Sequence, residues 1–289
     1  MKRVRQSNEV RKNTEVRKSP VARKKRPPVV PDGADGWDSY AAFYDWENAQ
    51  TVGRTDVAFW EGMARRTRGR LLELGAGTGR LALPLARIVG KRLIGIDRSA
   101  PMLARAVAKR RRVPAAKRPT LLRGDIRELP FPDASFSLVI APYGMLQSLT
   151  SERALMGVLQ EAARVLKPGG ILGADLVPDL PIWDEYHRET RLRGRGTRGA
   201  RVTLVESVRQ DRRRGVTIFD QEFVETLGQK QTSKRFALAF RTIPVPAMVK
   251  RFEKAGFDVE HMLGDYRGGQ WDPRAEVWLL LARRRQALP

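Results

Sequence analysis

The chain of 289 residues contains no cysteine and only two histidines, His187 and His261. The absence of cysteine excludes disulfides, cysteine-ligated zinc, iron–sulfur clusters and a thiol nucleophile, and it suits a reducing compartment. Two histidines are too few for a histidine-rich site, so we expect no metal. No apolar run approaches 18 residues, so we expect no membrane-spanning segment and no membrane partner.

Acidic residues are scarce relative to basic ones. The chain has 32 Asp and Glu but 55 Lys and Arg, which gives a formal net charge of +23. Residues 1–30 carry +9 of this excess and the remaining 259 residues carry +14, so both parts are basic. A positive surface attracts nucleic acid, anionic lipid or acidic substrates. Alternatively, the chain comes from a proteome that is rich in arginine throughout, and the positive charge of residues 31–289 then has no specific partner.

Residues 1–36 lack aromatic side chains and any regular apolar period, and they contain Pro27, Pro28 and Pro31 near their end. Such a segment cannot bury enough apolar surface to offset its ordering entropy, so we predict a disordered basic arm that offers a possible contact with nucleic acid. It has neither the apolar core of a secretory signal nor the amphipathic face of a mitochondrial presequence. We therefore expect a cytoplasmic protein.

The patterns in residues 37–69 predict N-terminal helices that form a lid, with Thr55 or Asp56 as the cap of the second helix. Residues 70–177 alternate between strand-like and helix-like patterns, which predicts a doubly wound α/β fold with a mostly parallel sheet covered on both faces. The expected strands cover residues 70–74, 92–97, 120–123, 136–141 and 170–175. The expected helices cover residues 78–89, 99–111 and 151–166, with a turn at 167–170 after the last.

Residues 178–243 interrupt this alternation. Segments 202–208, 216–227 and 234–240 predict three consecutive antiparallel strands, which we expect to form a cap inserted after the fifth strand of the core sheet. Residues 244–289 return to the earlier pattern, with a helix near 246–255 and strands near 259–263 and 277–282. We expect them to complete the core sheet.

A strand that ends in a glycine-rich turn, LLELGAGTGR at residues 71–80, carries the chemistry. Its glycines let the backbone turn tightly and let a ligand approach closely. A dinucleotide-binding loop would need a third glycine where Arg80 stands, and the carboxylate of Glu73 would repel a pyrophosphate. The ligand should therefore be less anionic than NAD and should profit from a carboxylate.

Two further acids follow the next two predicted strands. Asp97 ends the second strand, and Asp125 comes directly after the third. The carboxyl ends of neighbouring parallel strands meet at one edge of a sheet, where open α/β sheets bind ligands. Each acid alone could be a turn residue or a helix cap. Together with Glu73, they favour one shared site.

From residue 37 to 176 the sequence resembles the class I S-adenosylmethionine-dependent methyltransferases. LELGAGTGR resembles the family's E/DxGxGxG loop, GID at residues 95–97 its ribose-binding strand end, and GDI at residues 124–126 its adenine-contacting turn; LPF at 129–131 and EAARVLKPGGIL at 161–172 also match. The resemblance implies S-adenosyl-L-methionine as cofactor and a seven-stranded sheet of order 3-2-1-4-5-7-6 with the last strand antiparallel. The cofactor-binding residues we expect are Tyr44, Glu73, Gly75, Ala76, Gly77, Gly79, Asp97, Arg98, Met102, Asp125, Ile126 and Ala141.

The segment after the fourth strand departs from one branch of that family. Residues 141–146, APYGML, are similar to the (D/N/S)PPY motif of methyltransferases that act on amino groups of nucleic-acid bases or glutamine. Ala141 stands at the first position and cannot accept a hydrogen bond from an exocyclic amine, and only one proline is present. This departure speaks against that branch.

Candidates for binding the methyl acceptor lie outside these motifs. The aromatic helix with Tyr40 and Tyr44 resembles the capping segment of small-molecule methyltransferases, and GDYRGG at residues 264–269 resembles a turn found in those acting on small amines and aminosugars. Residues 183–188, WDEYHR, combine aromatic, acid and imidazole groups in the insertion. We expect Tyr44 and His187 as catalytic residues and Tyr40, Tyr143, Tyr186 and Tyr266 as substrate contacts. Packing within a lid is the alternative for the aromatics, and a surface or packing position is the alternative for the histidine.

The function expected from this pattern is transfer of a methyl group from S-adenosylmethionine to nitrogen or oxygen of a small molecule, mainly by proximity and orientation. One alternative is a methyltransferase of RNA or a ribosomal component, recruited by the basic arm. Another is a nucleic-acid-binding protein with a vestigial cofactor fold. A buried acceptor pocket under the cap would favour a small-molecule acceptor, and an open basic groove beside the cofactor would favour RNA.

Overall fold

The structure of the chain is a computed structural model, which describes residues 36–51, 54–177, 184–275 and 277–286. The predictions made for the basic arm concern residues outside this range, apart from Gly36, and so does the prediction for Trp183. No described helix is long and apolar enough to cross a membrane.

The strands in the described part of the chain form two sheets. In chain order they are β1 (Leu71–Leu74), β2 (Leu93–Asp97), β3 (Thr120–Arg123), β4 (Phe136–Ala141), β5 (Leu166–Leu176), β6 (Tyr186–Arg195), β7 (Arg201–Asp211), β8 (Val216–Leu227), β9 (Lys230–Arg241), β10 (Phe257–Leu263) and β11 (Trp278–Arg284).

A seven-stranded sheet forms the centre of the molecule, in the order β10-β11-β5-β4-β1-β2-β3. All neighbours pair in parallel except β11, which is antiparallel to both β5 and β10. The predicted fold class and strand order are confirmed.

Seven α-helices accompany the sheets in the described residues: α1 (Trp37–Tyr40), α2 (Tyr44–Gln50), α3 (Val57–Arg66), α4 (Ala82–Val89), α5 (Ala100–Arg110), α6 (Glu152–Val165) and α7 (Val245–Lys254). Ser99 caps α5, since its hydroxyl accepts the Met102 N–H. Asp56 is the N-cap residue of α3, but its side chain caps no helix N–H there.

Two predicted boundaries are wrong, and glycine explains both. The helix expected from residue 78 begins only at Ala82, because the glycines of the preceding loop hold left-handed backbone conformations that a helix excludes. The turn expected at residues 167–170 is instead the irregular start of β5, where Gly169 has a φ of 74°.

Helices cover both faces of the large sheet. The adjacent strand residues Leu71 and Leu72 point to opposite faces and belong to two separate apolar clusters. The cluster around Leu72 includes α6 and α7, and the cluster around Leu71 includes α3 with Trp60 and α4 with Leu85. Each fully buried side chain of this size contributes roughly 1.5–3 kcal/mol to folding. This packing fixes the strand ends that carry the site.

The insertion forms a second, antiparallel sheet, here called the small sheet, in the order β6-β7-β8-β9. Three of these strands were predicted and β6 was not. As an edge strand β6 leaves most of its charged side chains exposed, so its sequence lacks the apolar alternation that marks a strand. Helices α1 and α2 pack on the small sheet through Tyr40 and Phe43, which contact Phe223.

Candidate functional site

A pocket of about 1120 Å³, counting the space open to solvent, lies at the carboxyl ends of β1, β2 and β4 and at the turn after β3. The lining comes from six places in the chain: Trp37 and Tyr44; Glu73, Gly75, Ala76, Gly77, Arg80 and Leu81; Asp97, Arg98 and Met102; Gly124, Asp125, Ile126 and Arg127; Pro142, Tyr143, Met145, Ser148, Leu149, Thr150 and Ala154; and Phe240.

The glycine-rich loop after β1 forms the floor of the pocket. Gly75 has a φ of 69° and Gly77 a φ of 51°, a region that residues with a Cβ rarely adopt. A Cβ on Gly75 would also lie 2.7 Å from Cγ of Met145, which lines the same pocket. Glycine at this position therefore permits both the turn and the close approach of the opposite wall.

Asp97 at the end of β2 is tied to this loop. One carboxylate oxygen accepts the Gly77 N–H at 2.8 Å, and the other accepts the Ser99 N–H at 2.8 Å. Burial raises the pKa of Asp97, while these two hydrogen bonds act in the opposite direction. The carboxylate is thus held rigidly beside the loop and within the pocket wall.

Glu73 supplies a second carboxylate, and this one lacks a complete set of partners. The residue is 2% exposed, and its Oε2 atom is buried without a hydrogen-bond partner. Burial raises the pKa of Glu73 well above its usual range, and the nearby positive charge of Arg80 opposes that rise. An unpaired buried carboxylate oxygen is costly, so the site favours a ligand that brings a hydrogen-bond donor or a positive charge.

Asp125 also lines the pocket, and both of its carboxylate oxygens have a hydrogen-bond partner. Its carboxylate accepts two hydrogen bonds from Nε of Arg127, at 2.9 and 3.0 Å, and it also accepts the Arg127 N–H. These bonds to Arg127 lower the pKa of Asp125. The carboxylate therefore stays ionised, and Ile126 beside it adds an apolar surface to the same wall.

Two hydrogen bonds join the N-terminal helices to the core beside the pocket. The Ser99 hydroxyl donates to Asp38 of α1 at 2.6 Å, and the Thr78 hydroxyl donates to Asp45 of α2 at 2.6 Å. Tyr44 lies between these contacts and lines the pocket. The loop after β1 is thereby connected to α2, and the loop after β2 to α1.

A buried network holds Tyr143 against the pocket. Asp175, 1% exposed at the end of β5, accepts the Tyr143 N–H and a 2.7 Å hydrogen bond from the Tyr266 hydroxyl. Arg80 places its guanidinium 5.1 Å from the centre of the Tyr143 ring and makes a bidentate pair with buried Asp56 at 2.6 and 2.7 Å. Tyr143 itself has a φ of 59°, an uncommon conformation that these contacts stabilise.

The structure brings most of the expected site residues together in one pocket. Those that line it are Tyr44, Glu73, Gly75, Ala76, Gly77, Asp97, Arg98, Met102, Asp125, Ile126 and Tyr143. Gly79 and Ala141 lie in the adjoining segments without lining it, and Tyr40 packs behind Tyr44, with ring centres 5.4 Å apart. Tyr266 faces Asp175. Tyr186 and His187 lie on β6 and line a separate depression on the small sheet.

Several pocket residues were not singled out from the sequence. Arg80 was noted only as the residue that stands in place of a third glycine. Its position directly after the glycine-rich loop could have indicated a pocket residue. Trp37 and Phe240 line the pocket from segments far apart in the chain, and Asp56 and Asp175 act through partners equally distant in sequence. No local pattern marks such long-range pairs.

The chain has relatives among characterised proteins. Residues 71–170 match the family model of a methyltransferase domain. The chain is 31% identical over 222 residues to 27-O-demethylrifamycin SV methyltransferase of Amycolatopsis mediterranei, which covers 76% of this chain and 78% of that protein. It is 35% identical over 150 residues to 2-phytyl-1,4-naphtoquinone methyltransferase of Synechococcus elongatus; this match covers 49% of the chain and 62% of that relative, which is less than two thirds of its length.

Among solved structures, the CcbJ methyltransferase from Streptomyces caelestis is similar, with a TM-score of 0.76 at 20% sequence identity. The match covers 89% of this chain and 100% of that one. At this identity, the likeness shows a common fold alone.

Proposed function

The chain belongs to the class I S-adenosylmethionine-dependent methyltransferases, and from this premise we propose that it transfers a methyl group to nitrogen or oxygen of a small molecule. The observation that carries the proposal is the buried Oε2 atom of Glu73, which lacks a partner at the floor of the pocket. The α-ammonium group of S-adenosylmethionine would supply the missing donor and the compensating charge. A pyrophosphate at the same place would meet a carboxylate.

The residues present fit this cofactor. Glu73 would hold its amino group beside Gly75 and Gly77, Asp97 would bind the ribose hydroxyls, and Asp125 with Ile126 would flank the adenine. The three carboxylates line one continuous pocket, which supports this assignment. When bound, the cofactor supplies an electrophilic methyl group on a sulfonium.

The chain's own contribution is to position the acceptor and exclude water. Trp37, Tyr44 and Phe240 cover the pocket with aromatic surface, and Tyr143 forms the wall after β4. Burial raises the pKa of Tyr143 to about 12 and that of Tyr44 well above its usual range. Both hydroxyls therefore keep their protons at neutral pH, and we assign them positioning and hydrogen-bond donation rather than the role of a general base.

The covered position of the pocket supports a small acceptor, because a polymer would have to reach the site beneath α1 and α2. The named activities of the two sequence relatives, on a rifamycin and on a naphthoquinone, support the same class. The absence of cysteine suits a reducing compartment, and we propose the cytoplasm as the site of action.

The proposal is tested by incubating the protein with S-adenosylmethionine carrying a labelled methyl group, in parallel with a small-molecule metabolite extract and with total RNA. We expect label in the small-molecule fraction, and loss of that label when Asp97 is replaced by alanine. Label confined to RNA, or no transfer in either mixture despite measurable cofactor binding, would contradict the proposal.

A further inference from the structure

A second acidic site lies behind the aromatic cover of the pocket, between α2 and the small sheet. It consists of Glu47 on α2 and of Glu206 and Gln221 on β7 and β8, and we call it the Glu47–Glu206 cluster. Glu206 is 7% exposed and Gln221 5% exposed. The Tyr186 hydroxyl donates to one oxygen of Glu206, and Nε2 of Gln221 donates to the other at 2.7 Å.

The cluster contains more hydrogen-bond acceptors than donors. Oε2 of Glu47 and Oε1 of Gln221 are both buried without a hydrogen-bond partner. Each such atom costs free energy unless a ligand supplies a donor. Two unpaired acceptors beside two carboxylates are the surroundings that an ammonium group, with several N–H donors and a positive charge, satisfies.

Little protein charge balances the cluster, although the chain as a whole is strongly basic. The guanidinium of Arg191 approaches Glu206 at 3.9 Å from the rim of the small sheet. The groups that face Glu47 are Glu206 and the polar side chains of Tyr40 and Gln221. Burial raises the pKa of Glu47 to about 7, and the negative charge of Glu206 adds to the rise. A cation bound here would remove that repulsion.

The cluster adjoins the methyl-transfer pocket. The Tyr40 ring lies 5.4 Å from that of Tyr44, which lines the pocket, and 5.5 Å from that of Phe236, which lines the depression on the small sheet. Gln221 lines the same depression. The charge of Glu47 also contributes to the raised pKa of Tyr143 in the pocket wall. The Tyr40 ring therefore lies between the pocket and the small sheet.

We propose that the Glu47–Glu206 cluster binds a protonated amine of the methyl acceptor, so that the substrate class is a small molecule with a basic amino group. This inference rests on the proposed function. A protonated amine has no free electron pair for attack on a methyl group, so the cluster anchors the acceptor, and a separate nitrogen or oxygen of the molecule receives the methyl group. Tyr40 and Phe236 give the anchor an aromatic surrounding, which suits a cation.

The test uses 2-phenylethylammonium chloride as the probe and 2-phenylethanol as its neutral counterpart, both titrated calorimetrically into the full chain. We expect the ammonium probe to bind and the alcohol to bind at least about tenfold more weakly. Glu47→Gln and Glu206→Gln should each weaken the ammonium probe about ten- to hundredfold, because each removes a hydrogen bond to a charged group. The matched control is Glu225→Gln on β8, four residues beyond Gln221 on the same face, which should bind as the wild type does.

Proton release gives a second readout that a purely structural role would not move. Burial raises the pKa of Glu47 to about 7, and a bound cation favours its carboxylate, so binding near neutral pH should release less than one proton. Calorimetry in two buffers of different ionisation enthalpy measures this number. We expect the number of released protons to fall to about zero in Glu47→Gln, which retains the size of the side chain but has no titratable group.

Equal binding of the alcohol and the ammonium probe, unchanged ammonium affinity in both cluster variants, or the absence of ammonium binding would overturn the inference. Titration of S-adenosylhomocysteine into the same proteins separates it from the proposed function. Cofactor binding without amine recognition rejects the anchor alone, and failure of cofactor binding rejects the proposed function whatever the probe does.

Discussion

The hydroxyl of Thr78 donates a 2.6 Å hydrogen bond to Oδ1 of Asp45, and this bond joins the glycine-rich loop to α2. Thr78 is fully buried, and the same oxygen of Asp45 accepts a 2.8 Å bond from Lys109. A residue of the glycine-rich loop thus holds α2 against the core. Opening of α2 and rearrangement of the loop should therefore be coupled.

A double-mutant cycle measures this coupling. Thr78→Val keeps the shape of the side chain and removes the donor, and Asp45→Ala removes the acceptor. We expect an interaction free energy of about 0.5–1.5 kcal/mol between the two changes, as for an intramolecular hydrogen bond. Urea unfolding of the four proteins gives the value, and additivity within about 0.3 kcal/mol would show that the contact does not link the helix to the loop.

Tyr44 should matter for turnover more than for cofactor affinity. Its ring lines the pocket and lies 5.4 Å from Tyr40 and 6.5 Å from Tyr143, so its loss would leave the reactants poorly positioned. A misplacement of about 1 Å can cost roughly 100-fold in rate, and we expect a fall of this order in kcat for Tyr44→Ala.

Tyr44→Phe separates the two roles of this side chain, since it keeps the ring and removes only the hydroxyl. Steady-state kinetics with cofactor titration compares the variants. Near-normal turnover in Tyr44→Phe would exclude an essential hydroxyl, and near-normal turnover in Tyr44→Ala would end the proposal that α2 acts as a lid.

Asp175 should make the protein less stable as the pH rises through the window from about 4 to 6. Burial raises its folded-state pKa to about 6, against about 3.9 in the unfolded chain, so the folded state binds the proton more tightly. Stability from this group is therefore fully present at low pH and is lost as the pH increases. The asparagine of the Asp175→Asn variant does not titrate, so this variant lacks the pH-dependent loss. The free energy of unfolding of the variant minus that of the wild type should therefore increase by on the order of 3 kcal/mol as the pH rises through this window.

Urea unfolding of both proteins at several pH values checks this sign. Tyr266→Phe is the companion variant, since it keeps the carboxyl group and removes the hydrogen bond that opposes the rise in pKa. It should move the pH dependence toward higher pH. A difference that is flat, or that decreases with pH, would show that Asp175 is not a buried acid with a raised pKa.

Deletion of residues 1–30 should leave the melting temperature and the affinity for S-adenosylhomocysteine unchanged, because the sequence of this arm offers too little apolar surface to pack stably on the rest of the chain. If the arm contacts nucleic acid, its removal should weaken RNA binding and flatten the salt dependence. Filter binding at two salt concentrations and thermal melting test both statements. A large fall in melting temperature would show that the arm is part of the folded unit.

The large sheet and the glycine-rich loop could be predicted because the sequence patterns that indicate them are local. The turn at residues 71–80 and the acids Asp97 and Asp125 sit directly after apolar strands, and parallel strand ends meet at one edge. Strand β6 escaped prediction because an exposed edge strand needs no apolar alternation. Some pairs could not be predicted because their partners are distant in sequence and meet only through the packing of α2, α3 and the small sheet on the core. These are Arg80–Asp56, Tyr266–Asp175 and Glu47–Glu206.

Calorimetric titration of S-adenosylhomocysteine into the wild type and Asp97→Ala tests the central claim most directly. Asp258→Ala, at the exposed start of β10 on the opposite edge of the large sheet, is the matched control, and thermal melting verifies that each protein is folded. We predict binding to the wild type and the control, and a loss of about 1.5–3 kcal/mol in Asp97→Ala, as for hydrogen bonds to a charged group. No binding to the wild type, or equal affinity in a folded Asp97→Ala protein, would contradict the assignment of this pocket to S-adenosylmethionine.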